Sequence, residues 1–183
     1  MATVASEVSA RAPTPLLIVF ADLTRYSAQS LRVSDEELAQ TMDEHYERVA
    51  ARIESAGGRV VKFIGDAALA VFPAEAVDRG VQTLLELKEE VDRGFEAIGW
   101  ECRMMVKAHF APVVAGGYGA AGAKRFDVLG RAVNAAAMLD STGVALSAEA
   151  FRKLGPELRK RFKKHTPPIT YIRAEDPHRL RRR

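Results

Sequence analysis

Two aspartates each follow an apolar segment, at positions where a carboxylate could leave a buried strand and bind a metal ion. Asp22 ends the apolar run 15–21, and Asp66 belongs to a Gly-Asp pair between two apolar, β-branched runs, 60–64 and 67–72. The second pattern predicts a β-hairpin with Asp66 at its turn. If both carboxylates lie at one edge of a sheet, they offer the oxygen ligands that hard divalent cations prefer. The alternative is that they are unrelated turn aspartates.

The elements that must position these aspartates predict a domain of helices and strands. Ser34 and Glu37 form a capping box for a long amphipathic helix, which Gly57-Gly58 ends. Further helices are predicted over 74–98, over 131–139 and near Ser147. Further strands are predicted over 101–110, 112–116, 126–129, 144–146 and 169–173. A flexible loop is predicted over 116–124. The order β-α-β-β-α-β indicates an antiparallel sheet backed by helices, in which the first strand's end and the hairpin tip can be neighbours.

The composition is that of an ordinary globular protein. The chain has 183 residues, of which 48% are hydrophobic and 28% are charged, and this length suits one domain with a full-sized core. We expect a flexible leader over 1–14, the domain over 15–174 and a basic tail over 175–183.

Localisation and partners are constrained by the cysteine content and by the charges. The single cysteine, Cys102, excludes an internal disulfide and fits a reducing compartment, and no apolar run is long enough to span a bilayer. We therefore expect a cytoplasmic protein without a membrane segment. From Arg159 onward, ten basic residues stand against two acidic ones. Non-specific anion binding by this end is an alternative function, but without interleaved aromatic residues nucleic acid is an unlikely partner.

Four segments resemble, in their order and spacing, the class III nucleotidyl cyclase catalytic domain. They are Phe-Ala-Asp-Leu-Thr-Arg-Tyr-Ser at 20–27, Lys-Phe-Ile-Gly-Asp at 62–66, His-Phe-Ala-Pro-Val-Val-Ala-Gly at 109–116 and Phe-Asp-Val-Leu-Gly-Arg-Ala-Val-Asn-Ala-Ala-Ala at 126–137. The resemblance implies an α+β fold with a ferredoxin-like βαββαβ core and extra C-terminal elements. It also implies a head-to-tail homodimer with active sites shared across the interface.

The resemblance assigns metal-binding and phosphate-binding roles. It makes Asp22 and Asp66 the ligands of two Mg²⁺ or Mn²⁺ ions, and it makes the backbone through Tyr26 and Ser27 a cradle for the β- and γ-phosphates. A basic residue shortly before the last strand, Lys164 or its neighbour Lys163, resembles the one that reaches the triphosphate.

The resemblance also makes Lys62 and Asp127 the pair that selects the purine. An ammonium donor and a carboxylate acceptor complement the N1 acceptor and the N6 amino group of adenine. Guanine presents the opposite pattern, and guanylyl cyclases of this type have an acid and a small residue there. The pair therefore favours ATP, with Lys62 serving one site of the dimer and Asp66 the other. The alternative is an exposed strand lysine and a turn aspartate.

The remaining site residues both match and depart from the family. Asn134 matches the asparagine that positions the ribose, and Met138 stands where the family has an arginine over the α-phosphate. Losing one such donor commonly costs about 10²–10³ in rate. Arg131, which begins the same predicted helix, is a hypothetical substitute. At 109–111 the chain has His-Phe-Ala where the family usually has His-Thr/Ser-Gly, and we interpret His109 as a packed structural histidine.

The function that these matches imply is that of an adenylyl cyclase. It would convert ATP to 3′,5′-cyclic AMP and pyrophosphate, slowly because of Met138. The alternative is a catalytically degenerate cyclase-homology domain that binds nucleotide or a partner as a signalling module.

Overall fold

The structure is a computed structural model that describes residues 11–166 and 169–175. Most of the predicted leader, and all but the first residue of the predicted basic tail, lie outside these residues. The strands are β1 (Pro13–Thr24), β2 (Arg59–Ile64), β3 (Ala67–Pro73), β4 (Arg103–Tyr118), β5 (Arg125–Leu129), β6 (Val144–Ser147), β7 (Phe162–His165) and β8 (Thr170–Arg173). The helices are α1 (Tyr26–Ser30), α2 (Asp35–Ser55), α3 (Val77–Ala97), α4 (Arg131–Ala137), α5 (Ala148–Arg152) and α6 (Pro156–Arg159), with a 3₁₀ turn at Ala74–Ala76.

The strand order confirms the predicted α+β fold with a ferredoxin-like core. The sheet runs β2-β3-β1-β4-β6-β8-β7, and β1 is antiparallel to both β3 and β4. The four strands of this core are antiparallel, as predicted, whereas the complete sheet is mixed, because β6, one of the extra C-terminal elements, pairs parallel to β4. A chain segment with two helices links β6 to its antiparallel neighbour β8 through the edge strand β7.

The two faces of the sheet are buried against different elements. Alternate residues of β1 point to opposite faces. Leu17 and Val19 belong to the core formed with α2 and α3, whereas Leu16 and Ile18 belong to a second, smaller core formed with α4 and β5. The fully apolar run that follows Pro15 is explained by this burial on both sides.

Local sequence signals explain the bounds of α2 and of the β2–β3 hairpin. The Ser34 hydroxyl accepts a hydrogen bond from the Glu37 amide at 3.2 Å, as the capping box predicts. At the hairpin turn Gly65 has a φ of +60°, a conformation that glycine adopts at little cost. The turn therefore presents Asp66 immediately before β3.

The region 103–118 differs from the prediction because Pro112 does not interrupt it. One strand, β4, replaces the two predicted strands. It pairs with β6 over 106–108 and with β5 over 114–118, so Pro112 lies where neither strand needs a ladder hydrogen bond from it. The C-terminal part of the predicted glycine-rich loop is a turn, and its first residues extend β4.

Three short elements, α1, α6 and β7, were not predicted. Within the part of the chain that the structure describes, no helix combines the length and the apolar composition needed to cross a membrane.

Candidate active site

Asp22 and Asp66 converge at one edge of the sheet, as the sequence pattern predicted. The end of β1 and the β2–β3 turn meet there, and the amide of Leu23 donates to both carboxylates. Its nitrogen lies 3.0 Å from Asp22 Oδ1 and 3.3 Å from Asp66 Oδ2. The interpretation of these residues as two unrelated turn aspartates is therefore wrong.

The close approach of the two carboxylates changes the proton affinity of Asp66. Burial, together with a hydrogen bond to the Asp22 carboxyl and the negative charge of Asp22, raises the pKa of Asp66 to about 6. Two carboxylates that share a small space repel each other when both are ionised. A divalent cation relieves this repulsion, so the pair has the electrostatics of a cation site.

The two carboxylates fit a divalent cation that takes its other ligands from outside the protein. Among residues 11–166 and 169–175, no group of three or more His, Cys, Asp or Glu side chains could enclose a metal. Mg²⁺ commonly binds to one or two carboxylates and keeps waters and substrate phosphates as its other ligands. Asp22 and Asp66 meet that requirement without a third acidic residue.

The chain after Asp22 bends sharply into α1. Arg25 has a φ of +60° at the start of this helix, a conformation that costs a residue with a Cβ atom about 1 kcal/mol or more. Its guanidinium forms an exposed ion pair with Glu101. The bend brings Tyr26 close to Asp66, and burial and the charge of Asp66 raise the pKa of the Tyr26 phenol. Ser27 follows as an exposed residue of α1.

Tyr46 on α2 holds the hairpin turn in place, a role that the sequence analysis did not identify. Its hydroxyl donates to the carbonyl of Gly65, the residue before Asp66. Its ring stacks on Phe63 of β2 with the centroids 4.2 Å apart. Tyr46 therefore ties the turn to α2 by one hydrogen bond and one aromatic contact.

Tyr46→Phe tests this positioning role, because it removes the hydrogen bond and keeps the ring. We expect a loss of about 1 kcal/mol of unfolding free energy and a roughly tenfold weaker Mn²⁺ affinity in calorimetry, since outer-shell partners orient ligands. Tyr171→Phe is the control, because Tyr171 stacks on Phe151 near the opposite edge of the sheet. Equal Mn²⁺ affinities in all three proteins would show that the turn does not need Tyr46.

Lys62 and Asp127 form an ion pair between β2 and β5. Lys62 is an exposed strand lysine, as the alternative interpretation had it, whereas Asp127 lies on a strand and not in a turn. The Lys62 Nζ lies 2.6 Å from Asp127 Oδ2, and the amide of Val128 donates to Oδ1 at 2.8 Å. The lysine side chain is 43% exposed and the aspartate 21%, so one ammonium and one carboxylate oxygen lie side by side in partial contact with solvent.

This pair forms because the β4–β5 hairpin folds across the sheet toward β2. Val128 of β5 is buried in the smaller core with Leu69 of β3. The Arg59 guanidinium of β2 lies 3.8 Å from the centre of the Phe126 ring. A cation over an aromatic face is attractive, and this contact fixes Asp127 next to Lys62.

The other predicted site residues lie on or next to α4 and on β7. Asn134 is exposed on α4, and Met138, at the end of that helix, is 83% exposed. Arg131 is exposed at the opposite end of α4. Lys164 is exposed on the edge strand β7, three strands away from β4.

His109 occupies a packed position at the start of α5. Its Nδ1 lies 2.9 Å from the Ser147 hydroxyl, which also caps the helix by accepting the Ala150 amide. Glu149 Oε2 is 3.7 Å from the same ring nitrogen. A serine–histidine–glutamate relay needs both ring nitrogens, one for each partner, so this group is not arranged for nucleophilic catalysis.

A second residue absent from the predicted site is Lys107 on β4. Its ammonium donates to the carbonyl of Ala137, at the end of α4, at 2.9 Å. The only available sequence signal was a lysine on a strand whose neighbours alternate between core and surface.

A model of the adenylate and guanylate cyclase catalytic domain matches residues 8–174 of the chain. An adenylate cyclase from Glutamicibacter nicotianae is 40% identical over 81 residues, which make up 43% of this chain and 20% of that protein. The similarity therefore concerns a small part of a much longer relative.

Solved structures share the fold over most of the chain. A bacterial light-regulated adenylyl cyclase matches with a TM-score of 0.78 and 21% identity, over 90% of this chain and 52% of that one. The adenylyl cyclase CyaB from P. aeruginosa matches with a TM-score of 0.76 and 17% identity, over 92% of this chain and 98% of that one. A guanylyl cyclase matches with a TM-score of 0.75 and 20% identity, over 87% of this chain and 91% of that one. These similarities concern the fold, and the proteins are named for either purine.

Proposed function

Because the chain belongs to the family of adenylate and guanylate cyclase catalytic domains, we propose that it converts ATP to 3′,5′-cyclic AMP and pyrophosphate. The observation that carries the choice of purine is the 2.6 Å contact between Lys62 and Asp127. This ion pair offers one donor and one acceptor side by side, the complement of the adenine edge. The same pair would put a donor against the N1–H of guanine and an acceptor against its O6.

The proposed reaction is an in-line displacement at the α-phosphorus. A bond forms between the ribose 3′-oxygen and the phosphorus, and the bond from the phosphorus to the oxygen bridging to the β-phosphate breaks. Pyrophosphate leaves with that electron pair, and the hydroxyl proton passes to solvent. Asp22 and Asp66 would hold the Mg²⁺ or Mn²⁺ ions. Such ions lower the pKa of the hydroxyl and neutralise triphosphate charge.

Further residues of the chain would bind and orient the nucleotide. The backbone through Tyr26 and Ser27, directly after Asp22, would contact the β- and γ-phosphates, and Asn134 would orient the ribose. Lys164 would reach the triphosphate from β7. A catalytically inactive signalling module is less well supported, since it depends on the departures at Met138 and Ala111 while both the carboxylate pair and the Lys62–Asp127 pair are formed.

The direct test is an assay of the purified chain with ATP, and separately with GTP, in Mn²⁺ and in Mg²⁺. We expect cyclic AMP from ATP, with little product from GTP. Asp22→Ala serves as the blank, because it removes one of the two carboxylates. Cyclic GMP as the main product would overturn the choice of purine, and no cyclic product from either nucleotide would overturn the activity.

We further propose that two chains share each active site, with Asp22 and Asp66 from one chain and Lys62, Asp127 and Asn134 from the other. In such a symmetric dimer both sites lie at the interface between the two subunits. Sedimentation of the pure protein tests the dimer itself, and complementation tests the sharing.

Mixing two inactive variants should restore activity if the sites are shared. Asp66→Asn damages the part of the active site that would hold the metal ions. Asn134→Ala damages the part that would orient the ribose and that comes from the other chain. A mixed dimer then has one doubly damaged site and one intact site. Since half of the dimers are mixed after random exchange, we expect about a quarter of the wild-type activity. A mixture as inactive as its components, with exchange verified, would mean that each chain holds a complete site.

A further inference from the structure

Lys107 has an unusual partner for a half-buried lysine. Its Nζ donates to the Ala137 carbonyl at 2.9 Å, and none of the ion pairs found among the described residues includes Lys107. By contrast, Lys62 pairs with Asp127 and Lys88 pairs with Asp92. An ammonium has three donors. One of them is used by a neutral carbonyl, so the positive charge of Lys107 is available to an anionic ligand.

The strand register puts Lys107 on the face of the sheet that carries the proposed nucleotide contacts. Phe20 on β1 pairs with Lys107 on one side and with Leu69 on the other, and Leu69 pairs with Lys62. Residues in register on neighbouring strands share a face, and so do residues two positions apart. Lys107, Lys62 and Asp22 therefore all lie on the face that α4 covers in part.

The ammonium lies beside the position where an arginine side chain would begin. Met138 directly follows Ala137, and a carbonyl oxygen is about 3 Å from the next Cα across a planar peptide bond. With 2.9 Å from Lys107 Nζ to the Ala137 oxygen, the ammonium is within about 6 Å of the Met138 Cα. An extended arginine side chain covers about the same distance from its Cα to its guanidinium.

We propose that Lys107 supplies from β4 the positive charge that Met138 cannot supply from α4, and that its ammonium contacts the α-phosphate during cyclisation. The inference rests on the proposed function. Lys107 would donate to a non-bridging phosphate oxygen as the new bond to the 3′-oxygen forms and the bond to pyrophosphate breaks. It transfers no proton and forms no covalent bond.

Arg131 is the poorer substitute for the missing arginine. It begins α4, and at 1.5 Å per residue it lies about 10 Å along the helix from Met138. Its side chain would have to run back along the whole helix to reach the same place. The hypothesis that Arg131 replaces the arginine is therefore superseded by Lys107.

The test compares Lys107→Gln with the wild-type protein in the cyclic AMP assay. Glutamine keeps a donor for the Ala137 carbonyl and removes the charge. We expect kcat to fall by about 10²-fold, as when one preorganised transition-state donor is lost. The affinity for 3′-deoxy-ATP, which lacks the attacking hydroxyl, should change by less than about threefold, because the contact strengthens in the transition state.

Rescue separates a catalytic charge from a structural contact. We expect Lys107→Arg to keep most of the wild-type kcat. Adding Met138→Arg to Lys107→Gln should give a kcat at least tenfold higher than that of Lys107→Gln alone. Lys88→Gln is the matched control, because Lys88 is half-buried and pairs with Asp92 on α3, the helix that packs on the opposite face. If Lys107→Gln has a lower Tm than the wild-type protein, the kcat values of Lys107→Arg and of the double variant Lys107→Gln/Met138→Arg are compared instead.

Three results would overturn the inference. They are an unchanged kcat in Lys107→Gln, a loss confined to nucleotide affinity, and a double variant no faster than Lys107→Gln. A wild-type chain that binds ATP and forms no cyclic AMP would instead sink the proposed function, and the role of Lys107 in it.

Discussion

Asp66→Asn should abolish cyclic AMP formation and, at the same time, stabilise the metal-free protein above pH 6. The first effect follows from the loss of one of two carboxylates that would hold the metal ions, and we expect kcat to fall by at least about 10³-fold. The second follows from the pKa of Asp66, which is raised to about 6, first by burial and then by Asp22.

The pH window follows from the direction of this shift. An unfolded aspartate titrates near pH 4, so between about pH 4 and 6 the folded state binds more protons and stability falls as pH rises. Above pH 6 the wild-type protein has the full repulsion between the ionised carboxylates of Asp22 and Asp66, which the Asp66→Asn variant lacks. Because solvent screens the half-buried site, we expect a gain on the order of 1 kcal/mol, or about 2–4 °C in Tm.

Thermal denaturation of metal-free protein from pH 5 to pH 8 measures this gain. Asp43→Asn is the control for the loss of one charge, since Asp43 is exposed on α2. A stabilisation of Asp66→Asn that stays the same from pH 5 to pH 8, or a matching gain in the control, would argue against repulsion between Asp22 and Asp66.

Lys62→Glu combined with Asp127→Ala should reverse the preference for adenine. The glutamate would accept from the N1–H of guanine, and the alanine would remove the carboxylate that faces its O6. Sites that mispair a buried polar group discriminate strongly, so we expect the ratio of kcat/KM for ATP to that for GTP to fall by at least about 10²-fold. Parallel assays with both nucleotides measure this ratio.

Each single variant is an informative control for the double variant. Lys62→Glu alone puts two carboxylates together, and Asp127→Ala alone leaves an unpaired ammonium, so both should lose activity with ATP without gaining it with GTP. The folded state should persist, because partly exposed ion pairs contribute only about 0–1 kcal/mol. A double variant that keeps the wild-type nucleotide ratio would remove Lys62 and Asp127 from base selection.

The sequence predicted those parts of the fold and of the site that depend on local signals. The capping box at Ser34 and the glycines after α2 mark the ends of that helix. The Gly-Asp turn predicts the β2–β3 hairpin, and in a βαββαβ arrangement this turn necessarily approaches the end of β1. The meeting of Asp22 and Asp66 therefore follows from local pattern and topology together.

The missing parts depend on contacts between residues far apart in the chain. The Lys62–Asp127 ion pair requires β5 to cross the sheet, and its attachment to β2 through Arg59 and Phe126 leaves no periodic signal. Lys107 meets a backbone carbonyl thirty residues away, and any residue type has a carbonyl. The strand β7 has two lysines in four residues and is formed by pairing with β8 rather than by its own pattern.

Because β4 continues through Pro112 without a break, it fixes the distance between the site residues along its length. It carries Lys107 near one end, and near the other Gly116 pairs with Asp127, so one uninterrupted strand sets the spacing between the two. Deleting or inserting one residue between them would turn one end to the wrong face of the sheet. Natural variants of this segment should therefore exchange one apolar residue for another freely while its length stays constant.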